Sequence, residues 1–310
     1  MAQTYGAPGP IGSSAASAAL TQLDAYTRDT RKATGRGVSG GGARYGSGGV
    51  ESLGGVDNGT DLWPAPGGVV PAPLLHRGTG AWVDMSTSLD MDVWARTTGG
   101  TTIMSQLARA YALNDVSATR SLYDEWASTY DKEMAEATQD YVGPALASTY
   151  TLKCVGVDNI SKARILDAGC GTGLVGVHLA KLGAKNVDGI DLSPGMLDIA
   201  RRAGVYQELE TADLTKPLSH KDGQYQAVVC IGTFTQGHVG PSAFDEFVRV
   251  VEKGGYIIST VLGSIWSSGG YEAKVASLAE DGKVKVLSAE LEDYRRGAGV
   301  QAYMVVLQVL

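Results

Sequence analysis

The sequence predicts an α/β fold with a Rossmann-like, doubly wound sheet of seven strands, and three observations support this prediction. From residue 164 onward, short apolar runs typical of buried strands alternate with amphipathic runs of helical length. A glycine-rich turn at residues 169–173 follows the first apolar run and leads directly into a helical run. The last two strand-like runs have no helix between them, which favours a C-terminal antiparallel hairpin at the sheet edge. Strands separated by helices of this length form a mostly parallel sheet covered on both faces.

Capping residues and the hydrophobic period set the limits of these elements. Ser193 and Pro194 suit the N-cap and the first position of a helix that Gly204 ends. In the preceding helix we expect Leu174, Val177 and Leu182 to face the core. The predicted strands are 164–168, 186–190, 206–210, 227–231, 256–262, 283–291 and 300–310, and the other predicted helices are 174–182, 242–252 and 271–280.

The first hundred residues differ in composition from the rest. Residues 1–60 are rich in Gly, Ser and Ala, and such a segment cannot bury enough surface to offset its conformational entropy. We expect a flexible tail there, with a short helix over 15–31. Residues 61–100 carry several prolines and three tryptophans, which predicts an irregular extension that covers the folded domain or shapes its pocket. The folded domain is expected at residues 101–310.

Two helical patterns precede the first strand. The first begins at Thr101, and an Asn or an Asp at 114–115 can cap the next helix. Tyr123, Trp126 and Tyr130 then follow at spacings of three and four, which predicts one aromatic stripe along a single helix. A stripe of this kind either packs in the core or forms a lid over a ligand, and the spacing leaves both interpretations open.

Composition excludes several classes of function. The chain has 310 residues and a formal net charge of −7, which argues against nucleic-acid binding because phosphate recognition needs a basic face. Its three cysteines lack metal-ligand spacing, so we predict no metal site and reduced thiols. No apolar run approaches the roughly 18 residues that span a bilayer, and the N-terminus lacks a secretory pattern. We therefore expect a cytoplasmic protein without a membrane span.

The carboxyl ends of the predicted strands form a ligand site, since ligands of open parallel sheets bind there. The glycine turn lets a ligand approach the backbone, and the following helix points its positive end at the same place. Asp191 ends the second strand, where a carboxylate can accept hydrogen bonds from two ribose hydroxyls. Asp213 follows the third strand and can meet an exocyclic amine, with Leu214 beside it. Together these residues predict an adenosine site.

Two classes of cofactor contain adenosine. The spacing Gly171-x-Gly173-x-x-Gly176 matches the dinucleotide fingerprint and leaves an NAD(P)-dependent oxidoreductase as an alternative. Asp167, directly before the turn, would repel a pyrophosphate but could help to hold a cation. A cationic, phosphate-free ligand such as S-adenosylmethionine is therefore favoured. A protein that binds S-adenosylmethionine without transferring its methyl group is a third alternative.

Three consecutive motifs resemble those of class I S-adenosylmethionine-dependent methyltransferases. They are residues 165–173 (Ile-Leu-Asp-Ala-Gly-Cys-Gly-Thr-Gly), 189–196 (Gly-Ile-Asp-Leu-Ser-Pro-Gly-Met) and 212–214 (Ala-Asp-Leu). Residues 123–131 (Tyr-Asp-Glu-Trp-Ala-Ser-Thr-Tyr-Asp) and 237–239 (Gly-His-Val) are similar to the ubiquinone-type and Williams–Beuren-region methyltransferase-like subgroup.

This resemblance covers roughly residues 120–310 and implies S-adenosylmethionine as the cofactor. It implies that the glycines line the methionine moiety, that Asp191 holds the ribose and that Tyr130 closes the site. The residues that it implies in cofactor binding are Tyr130, Asp167, Gly169, Cys170, Gly171, Gly173, Asp191, Leu192, Met196, Asp213, Leu214 and Ile231.

The methyl acceptor is predicted less directly. His238, in the loop after the fourth strand, is the best candidate for a base if the acceptor must lose a proton. A histidine that is merely hydrogen-bonded within its loop is the competing interpretation. Residues 231–234 lack the Asn/Asp-Pro-Pro-Tyr/Phe sequence of enzymes that methylate amino groups of bases and glutamine. We therefore expect a small organic acceptor, such as one from secondary metabolism.

Overall fold

The computed structural model describes residues 96–98, 101–103 and 105–310. Its first two strands, β1 (Arg96–Thr98) and β2 (Thr101–Ile103), form an antiparallel pair. The predictions of an irregular segment up to residue 100 and of a helix from Thr101 are therefore wrong at this point. Four threonines and an isoleucine in these two short runs favour extended backbone. The predicted tail at 1–60, its helix at 15–31 and the three tryptophans of 61–100 lie outside the described residues.

Four helices follow before the main sheet begins. The side chain of Ser105 caps the first helix, and the carboxylate of Asp115 caps the second at 2.7 Å from the N–H of Ala118, as predicted for 114–115. The prediction of one helix through Tyr130 is wrong, because the second helix ends at Trp126 and the third begins at Tyr130. The helices are α1 (Gln106–Tyr111), α2 (Val116–Trp126), α3 (Tyr130–Met134) and α4 (Gly143–Val155).

The remaining chain alternates between strands and helices and then ends in two strands. Its strands are β3 (Arg164–Ala168), β4 (Asn186–Asp191), β5 (Leu209–Thr211), β6 (Tyr225–Phe234), β7 (Val251–Leu262), β8 (Val284–Arg295) and β9 (Val300–Val309). Its helices are α5 (Leu174–Lys181), α6 (Pro194–Ala203), α7 (Ala243–Val250) and α8 (Tyr271–Glu280).

These seven strands form one sheet in the order β5-β4-β3-β6-β7-β9-β8. Strands β3 to β7 pair in parallel, whereas β9 is antiparallel to both β7 and β8. The predicted fold class and the C-terminal hairpin at the sheet edge are confirmed. The strand order reverses between β3 and β6, and the crevice at such a reversal is where open α/β sheets bind ligands.

Hydrophobic side chains cover both faces of the sheet. Phe244 and Phe247 of α7 pack on one face, and Leu152 of α4 and Leu179 of α5 pack on the other. In α5 the buried residues are Val175, Gly176 and Leu179, so the prediction is wrong for Leu174 and Val177. Leu182, directly after the helix, packs against the core as predicted. The helix is short and apolar on most sides, so its period does not select one face.

Strands β4, β6, β7 and β8 are longer than predicted, and the changes in β6 and β7 affect the site and its neighbouring helix. Strand β6 continues to Phe234, beyond the predicted end at residue 231, and β7 begins at Val251, inside the predicted helix 242–252. The β-branched Val251 pairs with Tyr225 of β6, and this pairing ends α7 early. The extension of β6 places residues 231–234 at the edge of the crevice rather than in a free loop.

Candidate active site

A cavity of about 160 Å³ opens at the carboxyl ends of the parallel strands. It is lined by the turn after β3, the end of β4, the segment after β5, the end of β6 and one side of α2. Three of the thirteen predicted site residues, Asp167, Cys170 and Gly173, do not line it. The other ten do, and they are Tyr130, Gly169, Gly171, Asp191, Leu192, Met196, Asp213, Leu214, Ile231 and His238.

The turn after β3 requires glycine for its backbone conformation. Gly169, Gly171 and Gly173 have φ values of +77°, +53° and +96°, a region that other residues rarely adopt. A Cβ at Gly169 would collide with the side chain of Thr233, whereas a Cβ at Gly171 would meet nothing within 4 Å. The turn therefore leaves open space above Gly171 on the cavity side.

Replacing Gly171 with alanine tests whether this space is used by a ligand. Gly204, at the end of α6, is a matched control because its φ is +65° and its Cβ would also meet nothing within 4 Å. Both substitutions should destabilise the fold by about 1–2 kcal/mol through the left-handed backbone. Only Gly171→Ala should weaken S-adenosylhomocysteine binding in calorimetry. Equal binding losses in the two variants would contradict a ligand above Gly171.

Asp191 connects the glycine turn to the start of α6. Its Oδ2 accepts a hydrogen bond from the N–H of Gly171, and its Oδ1 accepts one from the N–H of Ser193, both at 2.8 Å. Burial raises the pKa of this carboxyl, and the two N–H donors oppose that rise. Each oxygen keeps a lone pair for a further donor. The carboxylate therefore fits a ligand with two adjacent hydroxyl groups.

Asp213 lies on the cavity wall after β5 and is largely held by its own turn. Its Oδ1 accepts hydrogen bonds from the N–H and the hydroxyl of Thr215, and its Oδ2 lies 3.2 Å from the ammonium of Lys216. Partial burial raises the pKa of Asp213, but these contacts outweigh it and hold the pKa below its ordinary value. Asp213 thus presents a negative charge beside the buried apolar side chains of Leu214 and Met196.

Asp167 lies beneath the glycine turn rather than on the cavity wall. Its Oδ2 accepts a hydrogen bond of 2.7 Å from the hydroxyl of Tyr206, which in turn accepts one from the N–H of Gly176. Its Oδ1 is buried and has no hydrogen-bond partner among the described residues. Burial raises the pKa of this carboxyl to about 7. A buried acceptor without a donor fits a cationic group, and it does not fit a phosphate.

Tyr206 explains why Gly173 lies away from the cavity. The tyrosine ring lies against Gly173, Gly176 and Gly189, where added Cβ atoms would meet it at 3.1 Å or less. Cys170 is buried within the turn, and burial raises the pKa of its thiol well above its usual range. Sequence reasoning missed Tyr206, because its contacts join segments that are far apart in the chain.

The aromatic stripe divides into a packed residue and two cavity residues. Trp126 is 1% exposed and stacks on Tyr123 at a ring distance of 5.8 Å, with Tyr130 edge-on at 4.8 Å. Its indole N–H donates to Glu133 at 2.9 Å. Tyr123 and Tyr130 both line the cavity. Trp126 therefore packs in the core, and Tyr123 and Tyr130 lie on the cavity wall, where the lid interpretation would place them. Closure of these two residues over a ligand stays a prediction.

Two carboxylates attach α2 and α3, which form the predicted lid, to the segments that follow β4 and β3. Asp124 accepts hydrogen bonds from the hydroxyl of Ser193 at 2.6 Å and from the N–H of Gly195 at 2.8 Å. Asp131 accepts one from the hydroxyl of Thr172 in the glycine turn. Each Tyr-Asp pair of residues 123–131 thus combines a tyrosine on the cavity with an acid that holds a loop. The sequence shows the repeated pair, but the role of the acids was missed.

His238 is hydrogen-bonded on both ring nitrogens. Its Nδ1 lies 2.8 Å from the carbonyl oxygen of Gln236 and 3.1 Å from the hydroxyl of Thr235, and its Nε2 lies 3.1 Å from the hydroxyl of Tyr123. A carbonyl oxygen can only accept, so we assign the proton to Nδ1 and the lone pair to Nε2. Burial lowers the pKa of the imidazole, so the ring is neutral at neutral pH.

Two further features, a metal site and a membrane-spanning helix, are not found in the part of the chain that the structure describes. No group of three or more His, Cys, Asp or Glu side chains in this part could hold a metal ion. Within the same residues, no helix combines the length and the apolar character needed to cross a bilayer.

Two curated relatives share part of this chain. Human methyltransferase-like protein 27 is 34% identical over 159 residues, which are 51% of this chain and 63% of that protein. A ubiquinone biosynthesis O-methyltransferase from Alkalilimnicola ehrlichii is 32% identical over 117 residues, which are 36% of this chain and 46% of that protein. The chain thus covers less than two thirds of the length of either relative.

A family described as "Methyltransferase domain" matches residues 165–255, from β3 into β7. Among solved structures, a TehB-like S-adenosylmethionine-dependent methyltransferase from Corynebacterium glutamicum is 21% identical. It aligns over 61% of this chain and 98% of its own, with a TM-score of 0.44. The family match disfavours the NAD(P)-dependent oxidoreductase alternative. The matched residues include the turn after β3 and the carboxylate that ends β4, so the part of the chain that forms the cavity is similar to S-adenosylmethionine-dependent methyltransferases.

Proposed function

We propose that this protein transfers a methyl group from S-adenosylmethionine to a small organic molecule, and that residues 101–310 form the domain responsible. The observation that carries the proposal is a single cavity that brings together Asp191, the glycine turn and the Tyr123–His238 pair. The first two suit an adenosine ligand with a cationic tail, and the pair suits an acceptor that must lose a proton.

The residues that would hold the cofactor are those of the cavity wall. Asp191 would bind the ribose hydroxyls, Asp213 would meet the adenine amine, and Leu192 and Met196 would flank the adenine ring. The turn at residues 169–173 would hold the methionine portion, with Asp167 supporting it from below. When bound, the cofactor supplies a methyl group already activated by a positively charged sulfur. The protein then has to orient the acceptor and exclude water.

A small acceptor is supported by the shape of the site and by one relative. Helix α2 lines one side of the cavity, and its carboxylate Asp124 is hydrogen-bonded to Ser193 and Gly195 at the start of α6, which suits an enclosed site for a small molecule. The relative from Alkalilimnicola ehrlichii is named as an O-methyltransferase of ubiquinone biosynthesis. The net charge of −7 also argues against a nucleic-acid acceptor.

A cytoplasmic location is part of the same proposal. All three cysteines of the chain, Cys154, Cys170 and Cys230, are free thiols. Free thiols suit a reducing compartment.

Ligand-dependent unfolding tests the cofactor. S-adenosylhomocysteine at a hundredfold excess over its Kd should stabilise the fold by about 2.7 kcal/mol, which raises the melting temperature in a thermal shift assay. NAD at the same concentration should leave it unchanged. Stabilisation by NAD without any effect of S-adenosylhomocysteine would refute the proposal.

Separation by size tests the acceptor class. The protein is incubated with methyl-labelled S-adenosylmethionine and a cell extract, and the products are passed through an ultrafiltration membrane. Enzyme-dependent label should appear in extractable small molecules of the filtrate. Label confined to the retained protein or RNA would contradict a small acceptor.

A further inference from the structure

Tyr123 and His238 form a hydrogen-bonded pair on the wall of the cavity. The hydroxyl of Tyr123 lies 3.1 Å from Nε2 of His238, although the two residues are 115 positions apart in the chain. Both residues line the cavity, Tyr123 from α2 and His238 from the loop that follows β6. The rings also pack against each other, with their centroids 5.7 Å apart.

The direction of the hydrogen bonds follows from the carbonyl at the far side of the imidazole. Because Nδ1 donates to Gln236, Nε2 carries the lone pair and accepts the proton of the Tyr123 hydroxyl. The phenol oxygen keeps its own lone pairs, and its ring lies on the cavity wall. The pair thus offers the cavity a hydrogen-bond acceptor with a base directly behind it.

The groups around the pair keep both rings uncharged. Burial raises the pKa of Tyr123 above its usual range, and the neighbouring Tyr111, Tyr294 and Asp191 act in the same direction. The positive charge of Arg295 opposes this rise but does not outweigh it, so the phenol remains protonated. On the other side, Tyr111 meets His238 edge-on at 6.4 Å, and the guanidinium of Arg295 lies 5.9 Å from the ring of Tyr111. Burial lowers the pKa of His238. Tyr123 is therefore a proton carrier rather than a base by itself.

We propose that the methyl acceptor reacts through a hydroxyl group, and that Tyr123 takes the proton of this hydroxyl while it passes its own proton to His238. The inference rests on the function proposed above. The acceptor O–H bond breaks, its proton binds the phenol oxygen of Tyr123, and the former phenol proton binds Nε2 to give an imidazolium. With S-adenosylmethionine bound, the freed electron pair of the acceptor oxygen would form the bond to the methyl carbon, and the carbon–sulfur bonding pair would stay on sulfur. The imidazolium returns its proton to water through Tyr123 after the product leaves.

The Tyr123–His238 pair suits an oxygen acceptor better than a nitrogen acceptor, because the two differ in their need for a base. A neutral amine attacks through its lone pair and can lose its proton afterwards, so it needs no base during attack. A hydroxyl is a weak nucleophile until its proton is removed. A phenol oxygen backed by a neutral imidazole provides that removal. The relay should fail in acid, because protonated Nε2 becomes a donor and can no longer accept the proton of Tyr123.

Binding of p-nitrophenol tests the proposal without knowledge of the natural acceptor. The full chain is saturated with S-adenosylhomocysteine and titrated with the probe below the pKa of free p-nitrophenol. The absorbance of the phenolate reports proton loss, and calorimetry reports the affinity for S-adenosylhomocysteine. We expect the probe to bind with a larger phenolate fraction than in free solution, and p-nitroaniline, of similar shape, to bind more weakly.

Matched variants assign the proton transfer to the pair. Tyr123→Phe and His238→Gln should each remove the excess phenolate signal and retain S-adenosylhomocysteine binding. Tyr150→Phe, which removes a buried hydroxyl bonded to Glu292, should leave the signal unchanged. Excess phenolate that persists in Tyr123→Phe would overturn the role of Tyr123. Failure of p-nitrophenol to bind, or tighter binding of p-nitroaniline, would overturn a hydroxyl acceptor. Failure of the unmodified protein to bind S-adenosylhomocysteine would instead refute the proposed function.

Discussion

Replacing Asp191 with alanine is expected to lower the affinity for S-adenosylhomocysteine by about 100-fold or more. The carboxylate would lose two charge-assisted hydrogen bonds to the ligand, and each such bond contributes about 1.5–3 kcal/mol. The substitution would also release the N–H groups of Gly171 and Ser193, which Asp191 holds at 2.8 Å. The glycine turn and the start of α6 would then lose the carboxylate that joins them. Calorimetric titration of the variant with S-adenosylhomocysteine measures the effect.

Asp198 provides the matched control for this prediction. It lies on α6, the helix that follows Asp191, and its exposed side chain forms a salt bridge with Arg201 on the same helix. Asp198→Ala should leave the affinity unchanged, because an exposed pair of this kind contributes little. If Asp191→Ala bound the ligand as tightly as Asp198→Ala, the ribose assignment of Asp191 would be wrong.

Replacing Trp126 with alanine is expected to destabilise the protein by about 3–5 kcal/mol, the usual cost of removing a buried tryptophan. The loss should be concentrated in α2 and α3. Trp126 belongs to a small hydrophobic cluster with Ala110 and Leu122, which is separate from the two clusters that cover the sheet. Hydrogen exchange should therefore increase in α2 while the amides of β3 and β6 stay protected, and S-adenosylhomocysteine should bind more weakly.

Trp266 is the matched control for the lid. It is also buried, and it stacks on Tyr303 at a ring distance of 4.7 Å, but it belongs to the cluster that covers the sheet. Trp266→Ala should lower the stability of the whole domain without selective opening of α2. Uniform exchange changes in Trp126→Ala, spread over sheet and helices alike, would contradict a separately stabilised lid.

Elements with local signals are correctly predicted from the sequence. The ends of β3 and α8 agree with the predicted limits, and α6 begins and ends where Ser193 and Gly204 indicate. At the start of α6 the hydroxyl oxygen of Ser193 accepts a hydrogen bond of 3.0 Å from the N–H of Met196, which lies only three residues away. Short-range hydrogen bonds of this kind are encoded in adjacent residues, so a single sequence is enough to find them.

Elements whose limits depend on distant partners are predicted less well. Strand β7 begins at Val251 because that residue pairs with Tyr225. The residues next to Val251 in the sequence do not indicate this pairing. The break between α2 and α3 follows from residues 127–129, where the hydroxyl of Thr129 contacts the carbonyl of Trp126 at 3.4 Å. Serine and threonine hydroxyls compete with helical hydrogen bonds. The aromatic spacing alone indicated one continuous helix.

The candidate site also combines features that local sequence predicts with contacts that depend on distant segments. The sequence by itself predicted the glycine turn, Asp191 and Asp213, because strand ends and glycines follow local rules. The resemblance to methyltransferases added Tyr130, Leu192, Met196 and Ile231, which also line the cavity. Only the tertiary structure brought Asp124 to Ser193, Asp131 to Thr172 and Tyr206 to Asp167, across 69, 41 and 39 residues respectively. The tertiary structure also made Tyr123 the hydrogen-bond partner of His238. A hydrogen bond between remote segments depends on how the chain folds back on itself, and residue spacing does not contain that information.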